Sequence, residues 1–332
     1  MKALVHGGPD ALGVPRWDFS SNANSAGPAP HALARLAQAD RRRYPDPAYT
    51  ALRERLAQWH GVRPSQVLVA ASASEFIRRM SLAVALRLPG AAVRCPQPGY
   101  GDYAAAANAL GLRVVGPEGE APLLAWVTQP GSPHGQVLPS PQPGPTITVL
   151  DLAYQPLQLS GAPAELPLWA WQLWSPNKAL GLTGVRGAYS IAPAHAGPWL
   201  QALEALAPSW PLGAEGVALL EAWASVDTED WLVHARAQLR QWKAQQLALC
   251  AALGWLCVPS DTPYHLVRWP GPRAVRLNRL RALRDAGIKL RDTASMGLPD
   301  HVRMSVQPPE AQQALRLAWS ASMRPAPAMK EA

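Results

Sequence analysis

Sulfur is scarce: three cysteines, Cys95, Cys250 and Cys257, in 332 residues. Their unrelated spacings match neither a disulfide framework nor a metal-ligand motif, so the spacing predicts no covalent staple, no metal site and a reducing compartment, the cytoplasm. Long apolar runs are also missing. No uninterrupted stretch reaches the length that crosses a bilayer, and the N-terminus lacks the charged-then-apolar pattern of a signal peptide, which argues against a membrane partner. No internal repeat at a solenoid period is present. Charge is sparse, at 16% of residues against 48% hydrophobic. The balance is basic, +8 with a pI near 9.7, yet only Arg41-Arg42-Arg43 forms a dense run. Dispersed arginine beside abundant alanine and proline points to compositional bias rather than to a nucleic-acid surface.

What is there is a large globular core. Short apolar runs alternate with helical spacing: strands over 66–70, 92–95, 112–115, 123–128, 146–150 and 168–173, helices over 29–38, 49–60, 76–88 and up to 110. That alternation predicts an α/β fold with a mostly parallel sheet and ligands at the carboxyl ends of its strands. The segment 138–145 holds too many prolines for a helix. From 199 to 253 the chain is mainly helical with a break at Trp210-Pro211-Leu212-Gly213, and 230–253 reads as one long helix. Strands at 265–268, 289–291 and 301–306, with helices at 274–286 and 310–320, complete a smaller α+β unit. The expected organisation is an extended arm over 1–30, a large domain over 31–230, a small domain over 231–322 and a disordered tail over 323–332.

The chemistry concentrates in Ser175-Pro176-Asn177-Lys178-Ala179-Leu180-Gly181-Leu182-Thr183-Gly184-Val185-Arg186. An amine desolvated among apolar side chains favours its neutral form, which Schiff-base formation with an aldehyde requires. An arginine nearby offers a fork of donors suited to phosphate. The alternative at this point is a surface lysine followed by a buried turn. Position weighs against it: Ser72, Tyr100, Ser132, Asp151 and Lys178 all fall at or just after expected strand ends. Ala71-Ser72-Ala73-Ser74-Glu75, between a strand and a helix, makes a helix N-terminus that can hold an anion.

The order of motifs resembles a known family. His6-Gly7-Gly8, Trp17-Asp18-Phe19-Ser20-Ser21-Asn22-Ala23-Asn24, Arg43-Tyr44-Pro45-Asp46, Pro98-Gly99-Tyr100, Asp151-Leu152-Ala153-Tyr154, Lys178 with Arg186, and Arg291 with Arg303 span nearly the whole chain. Together they are similar to the fold-type I pyridoxal-phosphate (PLP) enzymes of the class I and II aminotransferases, in the histidinol-phosphate aminotransferase branch. Within it the early His-Gly-Gly and Asp-Phe-Ser look most like the threonine-phosphate decarboxylases of cobalamin synthesis. The resemblance implies a large domain with a mostly parallel mixed sheet flanked by helices, a smaller C-terminal α+β domain, PLP as cofactor, and a homodimer with shared sites.

It also implies roles for single residues. Lys178 would bind the cofactor aldehyde and move protons, Asp151 would face the pyridine nitrogen, and Tyr154 would bond the phenolic oxygen. Tyr100 would stack on the ring, Ala73 and Ser74 would hold the phosphate with Arg186, Ser132 would stand towards the phenolic oxygen, and Asn177 would also contact the cofactor. Tyr44 would reach the phosphate of the neighbouring subunit. Arg303 would grip a substrate carboxylate, Arg291 a substrate phosphate, and His6 and Asn22 would line the same pocket.

The chain departs from the family pattern in four places: Ser132 stands where an asparagine is usual, Leu152 where an acid is, Asn177 where serine or threonine is, and a proline-rich loop replaces a helix before Asp151. The implied reaction is decarboxylation of L-threonine O-3-phosphate to (R)-1-amino-2-propanol phosphate, with histidinol-phosphate transamination using 2-oxoglutarate as the alternative.

Overall fold

The computed structural model describes residues 6–163 and 165–322. The chain enters through a short strand, β1 (Trp17–Asp18), and two helices, α1 (Pro30–Ala37) and α2 (Thr50–His60). Gly61, at φ +63°, ends α2 in the left-handed conformation that glycine adopts at least cost. There follow β2 (Val67–Ala70), α3 (Ala73–Arg87), β3 (Ala92–Arg94), α4 (Gly101–Ala109), β4 (Arg113–Val115), β5 (Leu124–Thr128), β6 (Ile147–Asp151), β7 (Trp171–Trp174) and β8 (Ala188–Ile191). Seven of these strands form one sheet in the order β2-β8-β7-β6-β5-β3-β4. β8 runs antiparallel to both neighbours, and every other adjacent pair is parallel.

Strands covered on both faces need apolar side chains on both sides of the pleat, which is why Val67-Leu68-Val69-Ala70 reads as a run and not an alternation. One face packs against α2 and the later helices α6 (Ala214–Trp223) and α7 (Val226–Ala252), through Leu52, Leu56, Leu219 and Leu232. The other face packs against α3, α4 and α5 (Gly197–Ala205), through Phe76, Ile77, Tyr103 and Leu203. The chain closes with β9 (Leu256–Cys257), β10 (Tyr264–Arg268), α8 (Arg273–Asp285), β11 (Ile288–Lys289), β12 (Arg291–Asp292), β13 (Val302–Ser305) and α9 (Pro309–Ser322). A four-stranded antiparallel sheet, β12-β13-β10-β9, carries a third core around Trp255, Trp269 and Trp319.

Several expectations shift. The helix expected at 76–88 begins at Ala73, because the Ser72 hydroxyl accepts a bond from the Glu75 N–H (3.1 Å) and caps it three residues earlier. Asp151 is the last residue of β6 rather than a residue beyond it. The strand expected at 168–173 lies at Trp171–Trp174, and the long helix starts at Val226 instead of 230. β8 was not foreseen. The expected strand 289–291 is two bridges in different sheets, one to β1 and one to β13. The arm is tied down by that parallel pairing of β1 with β11, and Phe19 is fully buried in the third core. As expected, no regular element fills the proline-rich segment 138–145. The tail 323–332 lies outside the described residues. Among these residues no helix is long and apolar enough to cross a membrane.

Candidate active site

The carboxyl ends of β2, β5, β6 and β7 open into a cavity of about 620 Å³. It is of the size that holds a cofactor together with a small substrate. His6, Asn22, Ala73, Ser74, Tyr100, Ser132, Asp151, Tyr154, Asn177, Lys178, Arg186, Arg291 and Arg303 all line it. Tyr44 does not: it is exposed on the surface, stacked on Trp210 with ring centroids 4.5 Å apart.

At the cavity floor the Asp151 carboxylate is buried and accepts from the Tyr103 hydroxyl (2.6 Å) and from the Ala153 N–H (3.1 Å). Tyr103 also meets the Thr128 hydroxyl at 3.1 Å. Burial, and then the Asp151 carboxylate, push the Tyr103 hydroxyl far up, so it stays a donor at any working pH. Lys178 follows β7 and is half-buried. Its Nζ lies 3.3 Å from Ser175 Oγ and 5.6 Å from the centre of the Tyr154 ring. The backbone of this loop is strapped to the arm: the Asn24 N–H donates to Lys178 O (2.9 Å) and its amide Nδ2 to Ala179 O (3.0 Å).

One wall is the start of α3. Ser74 Oγ donates to Asp102 Oδ2 (2.6 Å), which also accepts from the Tyr100 hydroxyl (2.7 Å). Burial, and then the Asp102 carboxylate, push the Tyr100 hydroxyl up, so it too stays protonated. Ala73 and Ser74 lie in the first turn of α3, whose unbonded N–H groups face an anion well. Arg186, exposed at the rim, makes no ion pair among the described residues. His6 Nε2 sits 3.9 Å from Asp102 Oδ1.

The opposite wall comes from β12 and β13, where Arg291 and Arg303 are directly paired across strands. Arg303 donates to Ser20 O (2.9 Å) and, at 3.5 Å, to Ser132 Oγ. Arg291 donates to Asp292 O (3.0 Å) and Ser295 Oγ (2.9 Å). Both are buried. Burial, and then the charge of Arg303, lower Arg291 to about 10, so two cations share a pocket wall and an anion between them relieves both. Behind this wall Tyr264 is fully buried, edge-on to Tyr154 at 4.8 Å and beneath Arg303 at 5.8 Å.

Sequence reasoning assigned no role to Tyr103, Thr128 or Ser175, all of which line the cavity. Tyr103 lies in Gly101-Asp102-Tyr103-Ala104, where an inward tyrosine has the same pattern as a core residue. Ser175 and Thr128 were legible in principle, since both directly end or follow a strand that leads to the cavity.

The class of protein follows from comparison. The family model "Aminotransferase class I and II" matches residues 16–118 and 147–317. The chain belongs to this family of PLP-dependent enzymes, and the α/β fold with a mixed, mostly parallel sheet is the fold-type I architecture. Among its relatives, the histidinol-phosphate aminotransferase of Symbiobacterium thermophilum is 28% identical, covering 88% of this chain and 86% of its own. The crystal structure of histidinol-phosphate aminotransferase from Sinorhizobium meliloti, in complex with pyridoxal-5'-phosphate, superposes with a TM-score of 0.82 at 22% identity, over 97% of this chain and 95% of that one. L-threonine-O-3-phosphate decarboxylase from Porphyromonas gingivalis superposes with a TM-score of 0.70 at 21% identity, over 91% and 98%.

Proposed function

We propose that this enzyme transfers the amino group of a phosphorylated amine of the histidinol-phosphate kind to 2-oxoglutarate. The observation that carries the reading is the single cavity in which the Lys178 amine, the Asp151 carboxylate and the paired arginines meet. PLP fits the residues present. The buried amide of Asn22, Asn177 Oδ1 and Arg303 Nε have no hydrogen-bond partner among the described residues, and a polar ligand would satisfy them.

When bound, PLP supplies an electron sink for charge that develops at the substrate α-carbon. The chain's own residues do the rest. Lys178 holds the cofactor through its amine and, once released, carries a proton to or from the α-carbon. Asp151, fixed by Tyr103, keeps a proton on the ring nitrogen. The first turn of α3 and Arg186 take the cofactor phosphate, and Tyr100 covers the ring. Arg291 and Arg303 take the anionic groups of each substrate in turn, the phosphate of the phosphorylated amine and the two carboxylates of 2-oxoglutarate and glutamate. Tyr44, exposed beside Trp210, is assigned to the phosphate site of a second copy, so the working unit is a homodimer in the cytoplasm.

Decarboxylation of L-threonine O-3-phosphate takes second place. It is favoured by the arm that brings His6 to the pocket, and by the likeness to one decarboxylase structure. The curated relatives favour amino transfer. The purified enzyme should turn over histidinol phosphate only when 2-oxoglutarate is supplied, releasing glutamate and no CO2. Release of CO2 from L-threonine O-3-phosphate without an oxo-acid requirement would reverse the order.

A further inference from the structure

The cysteines that looked unrelated in sequence converge in the C-terminal layer. Cys250 lies in the last turn of α7, Cys257 on β9 and His265 on β10, and one ligand atom from each lies within 4.8 Å of the others. Strand register explains the meeting. Cys257 pairs with Val267, two residues along β10 from His265, so both face the same side of the sheet. His265 is paired across to Met304 on β13, and the Cys250 thiol reaches the Met304 sulfur at 4.0 Å. α7 closes the face from above. Cys250, His265 and Met304 are fully buried, and Cys257 is half-buried, which leaves a path from solvent.

The histidine is the second, independent observation. Neither ring nitrogen of His265 has a hydrogen-bond partner among the described residues, although the side chain is out of water. An imidazole left in that state carries an unrelieved desolvation penalty, which a ligated ion would offset at one nitrogen. We propose that Cys250, Cys257 and His265 form a structural site for a soft closed-shell cation, Zn2+ or Cu+, with Met304 beside the fourth position. Two thiolates and an imidazole are the donors such ions select, and a thioether joins them for Cu+. Metal–ligand bonds of about 2.0–2.3 Å give tetrahedral edges of roughly 3.3–3.8 Å, so a contraction of about an ångström closes the site. β13 carries Arg303 on its other side, and an ion beside Met304 therefore braces the strand that presents a substrate-binding arginine.

The test uses the untagged holoenzyme, purified reduced and without chelator. It is incubated with Zn2+ or, anaerobically, with Cu+, then desalted and its metal counted per chain. The wild type is expected to retain a single equivalent and to unfold at a higher temperature than the metal-free protein. His265→Ala and Cys257→Ser should bind at least on the order of tenfold more weakly. Met304→Leu should weaken only Cu+ retention if copper is the ion. Should a variant fail to fold, Co2+ added to wild type reports directly, since a thiolate-to-cobalt charge-transfer band requires the cysteines as ligands. Substoichiometric metal with no cobalt band, unchanged binding in both variants, or a Cys250–Cys257 disulfide in the reduced preparation would each overturn the site.

Discussion

Tyr103 shows how a residue outside the reaction can govern it. Its hydroxyl gives the carboxylate of Asp151 a hydrogen bond of 2.6 Å inside a dry pocket floor, where a bond to a charged group contributes about 1.5–3 kcal/mol. Tyr103→Phe should keep the fold and lower kcat about ten- to a hundredfold, with KM little changed and the pH profile of kcat displaced. A fall in KM-derived binding alone would indicate that Tyr103 only shapes the pocket. Some of the residues that sequence did identify, Asp151 and Lys178 among them, sit at or just after the end of a strand, and position there is visible without a fold. Arg291 and Arg303, inside the later sheet, and His6 and Asn22, in the arm, were reached only through the family resemblance. Tyr103 was hidden because an aromatic facing a site and one facing a core follow the same periodicity. Cys250, Cys257 and His265 were hidden because only strand register and the packing of α7 on that sheet bring them together.

At the scale of elements, the parallel strands were legible because burial on both faces writes them as short apolar runs. β8 was not, because Ala188-Tyr189-Ser190-Ile191 mixes small and polar residues between Gly187 and Ala192-Pro193. Helix starts were misplaced where one side chain decides the cap, as Ser72 does for α3. The connection after β5 depends on Gly135, at φ +77°, where an added Cβ would stand 2.2 Å from Ser260 Oγ and 2.4 Å from Thr262 Oγ1. Both the backbone conformation and the space exclude a side chain. Gly135→Ala should therefore lower the urea midpoint by an amount corresponding to about 1–3 kcal/mol. An unchanged midpoint would mean that the loop and Ser260 part without cost.

For the whole molecule, the face of the main sheet that packs against α2 and α6 is secured by polar contacts as well as by hydrocarbon. The Trp223 indole donates to the Tyr189 hydroxyl (2.8 Å), leaving that hydroxyl's proton for Nε2 of His60 (2.7 Å). Burial lowers His60 to about 4, so the folded protein holds it neutral. In the unfolded chain the imidazole takes a proton near pH 6.5. Its contribution is thus fully present above about pH 6.5 and is lost as pH falls towards 4, by about 2–3 kcal/mol. Denaturant midpoints at pH 7.5 and 5 should differ more for wild type than for His60→Gln; equal slopes would remove His60 as a cause.

Lys178, in the loop after β7, is the proposed holder of PLP in this cavity. The first measurement is the visible absorbance of purified wild type and Lys178→Ala after addition of PLP and removal of the excess. Wild type should keep a visible band that survives desalting and changes on adding histidinol phosphate, and Lys178→Ala should lose it. A wild type with no band, or a band unaffected by removing the lysine, would mean that Lys178 does not hold PLP.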